Sequence, residues 1–395
     1  MSHGMRYRVK HETVYAYGSD VAHSHQLLHL VPRPSSYQQC IEHSLAISPA
    51  TFSRRDETDA FGNLVTRVEF EHAHRQLEVS TDMEVEVHAR PPVPAGDTLP
   101  WERVRDLLSY TGGWPARDVL DACRFRHESP YVRVKQVFTE YGAECFEPGR
   151  PVLACAQALM QKLHRELRYA PGETNIATPL AEVLRNRRGV CQDFAHLMIA
   201  CLRARGLAAR YVSGYIRLRP SRPIETDCGD VSPERVAHLD MRTVDSLADI
   251  EASDTSPPPM PSDSALASAL PLSSESAPAS TLLLSSGPAL ASPSAPTTTP
   301  GWPVISPPDP QADSQIDWVG AGASHAWVSV YVPPFGWLEL DPTNNAHVGT
   351  DHIAVAWGRD FGDVSPLRGV ILGGGTHTLS VRVTVEPLHA TSTSH

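Results

Sequence analysis

The run Arg188-Gly189-Val190-Cys191-Gln192-Asp193-Phe194-Ala195-His196-Leu197 constrains the fold more than any other part of the chain. A glycine turn leads straight into a helix, Asp193 to Arg205, whose apolar residues Phe194, Leu197, Met198, Cys201 and Leu202 fall on one stripe and which stops at Gly206. The next apolar run, Ala209 to Leu218, has the β-branched and aromatic content of a buried strand. Together they predict a core in which a sheet packs on a central helix. The start of that helix holds Cys191, where unpaired backbone N–H groups and the positive end of the helix dipole favour the thiolate, the form of cysteine that attacks carbonyl carbon.

Two later segments carry complementary chemistry. Ser324-His325-Ala326-Trp327-Val328 reads as a strand bearing a histidine, and Trp337-Leu338-Glu339-Leu340-Asp341-Pro342-Thr343 reads as the next strand, ending in an aspartate. The turn Pro333-Pro334-Phe335-Gly336 between them predicts a hairpin that sets His325 and Asp341 on adjacent strands facing the helix that starts at Cys191. The order cysteine, histidine, aspartate suits a nucleophile, a base and a carboxylate that orients the base. Taken singly, each has a plainer reading: a cysteine before a helix is commonly packing, and a strand histidine is commonly a satisfied polar group.

From Tyr7 to His88 the chain runs in short alternating stretches broken by turn residues at Pro32, Pro34, Pro49 and Asp59 to Asn63, the pattern of a β-sandwich. Pro91-Pro92-Val93-Pro94 marks a linker. Helical periodicity follows in Leu153 to Leu167 and in a short helix opened by Pro179. From about Ala252 to Gln315, Ser, Pro, Ala and Thr dominate and Trp302 is the only aromatic, too little apolar surface to offset the entropy of ordering. This insert reads as disordered. It separates Cys191 from His325, yet lengthening a loop to that extent costs only about 1 kcal/mol in closure entropy, so the two halves can still assemble. Val355-Ala356-Trp357 and Leu379 to Val385 are strand-like and should finish a sheet. The expected organisation is a β-rich domain over 1–90, a linker and helical segment over 91–150, a cysteine-bearing half core over 151–251, the insert over 252–315, a histidine- and aspartate-bearing half core with final strands over 316–388, and a tail over 389–395.

Three segments resemble the bacterial transglutaminase-like proteins: GVCQDFAHLMIACLRARGLAARYVSGY around the cysteine, SHAWVSVYVPPFGWLELDPTNN around the histidine and aspartate, and HIAVAWGRDFGDVSPLRG near the end. The stretch YRVKHETVYAYGSDVAHSHQLLHLVPRP, with DAFGN further on, is similar to the β-rich domain that precedes the core in these proteins. The resemblance implies an α+β fold: an N-terminal β-sandwich followed by a papain-like, transglutaminase-like core with an antiparallel sheet packed on a central helix. It also implies that Cys191 is the nucleophile, His325 the base and Asp341 its orienting group. The long insert departs from the family pattern, in which this connection is short.

Composition narrows the partners. At 395 residues with 41% hydrophobic content, the chain can bury real cores in two or three domains. No run approaches the roughly 20 apolar residues that cross a bilayer, and the first residues lack the apolar core and cleavage site of a secretory signal, so a cytoplasmic protein is expected, with no membrane partner. The net charge of −11 argues against nucleic acid. Seven cysteines without short regular spacing suggest a reduced compartment. Neither Cys145 with Cys155 nor Cys191 with Cys201 has zinc-site spacing, and His23, His25 and His29 lack a cysteine or carboxylate at helical spacing, so no metal and no cofactor are expected.

The remaining candidates are secondary. An oxyanion needs two donors; the backbone N–H of Cys191 is one, and Tyr169 is the side-chain choice for the other, with the Gln192 amide as a second lining group. Trp327, two residues after His325 on the strand, points to the same face and either walls the site or packs the core. His196 sits five positions after Cys191, roughly 140° round the helix, which suits packing better than catalysis. Asp193 belongs to the first turn as a cap, and Cys201 to the apolar stripe. The reaction expected is acyl transfer on a peptide or protein substrate through a thioester. Water as acceptor makes a protease or amidase, and this is favoured; a protein amine makes a cross-linking glutamyltransferase. A non-catalytic interaction module is the alternative from another class.

Overall fold

A computed structural model describes residues 4–109, 115–217 and 324–388; the insert, 252–315, and the tail, 389–395, lie outside the described residues. The amino-terminal part is an antiparallel sheet ordered β2-β5-β1-β4-β3, in which β1 is Met5–Leu28, β2 Gln38–Ser48, β3 Ser53–Thr58, β4 Leu64–Phe70 and β5 His74–Val87. Period-two alternation on β1 buries Tyr7, Val9, His11, Thr13, Tyr15 and Tyr17 and turns Arg6, Arg8, Lys10 and Glu12 to solvent. Between Ala16 and Val21 the register breaks, so the first half of β1 runs beside β5 and the second half beside β4. Side chains from both halves, including Tyr15, Tyr17, Leu28, Phe70 and Leu77, share one core. The sandwich is thus made by a single sheet curled on itself.

After the linker, α1 (Trp101–Leu107), α2 (Arg117–Cys123) and α3 (Gln136–Tyr141) lead to α4 (Val152–Glu166), which buries Leu153, Ala156, Leu159 and Leu163 at helical spacing. The two-residue strands β6 (Arg168–Tyr169) and β7 (Arg188–Gly189), separated by α5 (Leu180–Asn186), pair in parallel and deliver the chain to α6 (Cys191–Ala204). Every residue of α6 from Asp193 to Arg203 is buried. A helix enclosed on all sides is a core helix. It packs on one face against an antiparallel sheet ordered β11-β10-β9-β8-β12, where β8 is Ala209–Ile216, β9 His325–Val332, β10 Gly336–Asp341, β11 Ala346–His347 and β12 His352–Gly358, and is flanked by α3, α4 and α5. Strands β8 and β9 are buried along their whole length, as continuous apolar runs covered on both faces should be.

The chain then passes through α7 (Phe361–Val364) into β13 (Leu367–Gly373) and β14 (His377–Leu388). Val355 to Trp357 lies in the core sheet, but Leu379 to Val385 does not: β13 and β14 return to the first sheet, pairing with the second and first halves of β1. The outer edge of β12, which has no further strand of its sheet beside it, is closed by side-chain amides. Gln38 accepts from the Ala354 N–H (2.8 Å) and donates to the Ala354 carbonyl (2.7 Å), and Asn63 does the same for Trp357 (3.0 and 2.9 Å). Each amide replaces a missing strand neighbour. Asp59 accepts the backbone N–H groups of Phe61 and Asn63 and the Asn63 amide, so the DAFGN turn is the device that holds this clamp. Among the described residues no helix is long and apolar enough to cross a membrane.

Candidate active site

The start of α6 is set by a close approach. A side chain at Gly189 would come within 2.6 Å of the Asp193 carboxylate, so the turn tolerates only glycine. Asp193 Oδ2 accepts the Val190 N–H (2.8 Å) and the Thr174 hydroxyl (2.6 Å), which fixes the first turn of the helix. Burial pushes the Asp193 pKa up against these two hydrogen bonds. Asp193 is therefore a cap. Cys191 stands just beside it, 9% exposed, and its own N–H and that of Gln192 lie in the first turn, where no intrahelical acceptor exists.

The β9–β10 hairpin brings in the other two groups. His325 opens β9, Asp341 closes β10, and neither side chain is exposed. His325 Nε2 lies 2.8 Å from Asp341 Oδ2. The Asp341 carboxylate is held from four further directions: Oδ1 accepts the N–H groups of Thr343 (3.0 Å) and Asn344 (3.2 Å), and Oδ2 the Asn344 amide (2.8 Å) and His352 Nε2 (3.2 Å). Burial would raise the Asp341 pKa, but the His325 charge and hydrogen bond, aided by His352, hold it far below the usual carboxylate range. Burial opposes charging of His325, yet the Asp341 charge and hydrogen bond, with the thiol of Cys191, raise its pKa well above the ordinary imidazole value. With Nε2 committed to Asp341, Nδ1 is the nitrogen left for the thiol; it has no other hydrogen-bond partner among the described residues. The structure thus brings Cys191, His325 and Asp341 into one buried cluster.

The secondary candidates separate. Tyr169 on β6 borders Cys191: burial first, then the thiol, raises its phenol pKa. Its partner across the two-stranded pairing is Gly189, so backbone pairing places the ring at the turn before the cysteine. Gln192 is half-buried. Trp327 is fully buried beside His325, ring centroids 6.2 Å apart, and its Nε1 donates to Glu339 (2.8 Å), which Arg90, just ahead of the linker, also holds (3.1 Å). It supports the imidazole from within the core. His196 accepts the Phe361 N–H, and burial pushes its pKa down to about 3, so it is a neutral packed histidine. Cys201 is buried and its pKa is raised by that burial. His23 and His25 face each other at 2.9 Å while His29 Nδ1 turns to the Ser365 carbonyl, and among the described residues no group of three or more His, Cys, Asp or Glu is placed to hold a metal. Sequence reasoning missed His352, Asn344 and Tyr211, whose buried phenol is also acted on by Cys191. A hint existed for this turn in Asp341-Pro342-Thr343-Asn344, because Asp-Pro favours turn initiation and an aspartate side chain accepts the backbone N–H two residues on, here that of Thr343.

Residues 7–86 match the bacterial transglutaminase-like N-terminal region and residues 139–243 the transglutaminase-like superfamily core. Uncharacterized proteins of Mycobacterium tuberculosis and Mycobacterium bovis are 31% identical over 97% of this chain and 93% of theirs. One from Mycobacterium leprae is 25% identical over 97% of this chain and 99% of its own. A solved structure from Cytophaga hutchinsonii, described as a "Putative Cysteine Protease", superposes with a TM-score of 0.60 at 15% identity, covering 99% of this chain and 93% of that one, and shares the fold. With the curled N-terminal sheet, the central helix and its antiparallel sheet all in place, the chain belongs to the transglutaminase-like superfamily, in its bacterial form with the dedicated N-terminal region.

Proposed function

We propose that this protein is a cysteine-dependent acyl-transfer enzyme acting on peptide or protein amides, with Cys191 as nucleophile, His325 as acid and base, and Asp341 as the group that orients His325. The observation that carries this reading is the buried imidazole held at 2.8 Å by a carboxylate on Nε2, with its Nδ1 left to the thiol. An ionised carboxylate only accepts, so Nε2 carries a proton and Nδ1 exchanges the other with sulfur. The thiolate attacks the carbonyl carbon and the oxygen takes up the negative charge. The Cys191 N–H donates to it, and Tyr169 or the Gln192 amide would supply a second donor, a contribution of about 10²-fold or more. His325 then protonates the leaving amine as the C–N bond breaks, and a thioester remains. Water, deprotonated by His325, attacks the thioester and restores the thiol. This gives peptide or amide hydrolysis, the outcome favoured here; a protein amine in place of water gives cross-linking.

The test is incubation of wild type and Cys191→Ala with a peptide library, with and without a primary amine, and identification of products by mass. Cleaved or deamidated peptides that disappear in Cys191→Ala are expected. Amine adducts would reassign the acceptor, and no product in either condition would favour a binding module.

A further inference from the structure

Asp341 Oδ2 receives two imidazoles. His325 approaches from β9 at 2.8 Å and His352 from β12 at 3.2 Å, both through Nε2, and both side chains are buried, with relative exposures of 0% and 1%. Because the carboxylate is held ionised, it can only accept, so each ring carries its proton on Nε2. Among the described residues the other donors to the carboxylate are the Asn344 amide and the two backbone N–H groups of its turn, while Cys191 on α6 acts on the His325 ring. The ring of His352 is itself set edge-on to Trp327, centroids 5.3 Å apart at 80°, and Asp351 beside it accepts from Tyr7 and pairs with Arg217.

We propose that His352 is a positioning residue for the Cys191–His325 pair: its Nε2–H fixes the Asp341 carboxylate and takes part of the charge that Oδ2 would otherwise direct to His325 and the Asn344 amide alone. The inference rests on the reading of Cys191 and His325 given above. Carboxylate charge sets how tightly His325 keeps its second proton, and a base that holds its proton too tightly is a poor acid toward the leaving amine. A donor shared on the same oxygen weakens that hold without removing the carboxylate. His352 does not touch the reacting atoms; it acts through Asp341.

The test uses the full chain and follows alkylation of the Cys191 peptide by iodoacetate as a function of pH. This anionic reagent is favoured while the imidazolium persists, so the alkaline limb of the profile reports proton loss from His325. His352→Leu removes the donor, and the limb should move up by about half a pH unit, a roughly threefold change in the imidazolium-to-imidazole ratio at the original midpoint. His352→Gln, which keeps an N–H donor, should restore the wild-type limb. A limb unmoved in a folded His352→Leu, or a His352→Gln that behaves like His352→Leu, would overturn the role of His352. A wild-type profile with no alkaline limb would instead overturn the Cys191–His325 reading itself. Should His352→Leu fail to fold, nitrogen-15 spectra of the wild-type histidines, assigned by the signal lost in His352→Gln, give the second reading. An Nε2–H tautomer of His352 is expected, and an Nδ1–H tautomer would contradict the proposal.

Discussion

His325 Nε2 and Asp341 Oδ2 stand 2.8 Å apart with neither side chain reaching solvent, at the open ends of paired strands. Asp341→Asn keeps the shape but removes the charge and can present N–H to a nitrogen that already carries hydrogen. We expect Cys191 alkylation near neutral pH to slow by about tenfold or more, and any acyl-transfer rate to fall by about 10² or more. Rates by mass spectrometry on both proteins check this, and an unchanged rate would remove Asp341 from the account.

Much of this arrangement was legible in the sequence. Helix α6 announced itself by its stripe and its stop at Gly206, and the hairpin by Pro333 to Gly336, because both signals are local. The contacts that complete the site are not local. His352 meets Asp341 only because β12 folds onto β8, and β14 returns to β1 with Arg6 opposite Leu388, pairings that no periodicity encodes. The clamp from Asn63 to Trp357 is similar: DAFGN is readable as a turn, but its purpose depends on an edge strand 294 residues later.

Gly189→Ala places a methyl group against the Asp193 carboxylate, which must then give up its bond to Val190 or displace the turn that carries Cys191. Loss of such a cap costs about 1 kcal/mol, and steric displacement adds to it. The variant should melt lower and alkylate more slowly at Cys191. A wild-type rate in Gly189→Ala would show that the turn does not position the thiol.

Two buried histidines predict acid sensitivity. Burial pushes His196 down to about 3 and His11 down to about 4, while His11 is bonded to Tyr215 and Thr13 through its two nitrogens. Between those values and the unfolded value near 6.5, the unfolded chain binds protons that the folded chain does not, so stability falls as pH falls. Each contributes a slope of about 1.4 kcal/mol per pH unit within its window. Urea unfolding at pH 7, 6, 5 and 4.5 should show this loss, and His196→Gln should flatten it; a pH-independent midpoint would contradict it. The sign is opposite for His325, whose raised pKa gives stability that is complete below about 6.5 and fades as pH rises through its folded value.

Arg203 near the end of α6 donates to the carbonyls of Phe125, Ala209 and Arg359 and to the Ser129 hydroxyl, and burial lowers its pKa to about 10. Arg203→Met strands several buried acceptors at once and should cost about 3 kcal/mol or more in urea unfolding. Twelve helical positions, about 18 Å, separate it from Cys191, so thiol reactivity of the folded fraction should stay within about twofold of wild type. A large change in reactivity at unchanged stability would reverse this assignment.

The most direct measurement compares the rate at which iodoacetamide modifies Cys191 with that of Cys123, a half-buried cysteine outside the cluster, at pH 6 in wild type and His325→Gln. In wild type, Cys191 should react at least about tenfold faster than Cys123 despite being the more buried of the two, and the advantage should vanish in His325→Gln. If Cys191 reacts no faster than Cys123, or if its rate is indifferent to the loss of His325, the thiol is not activated by the imidazole and the acyl-transfer account fails.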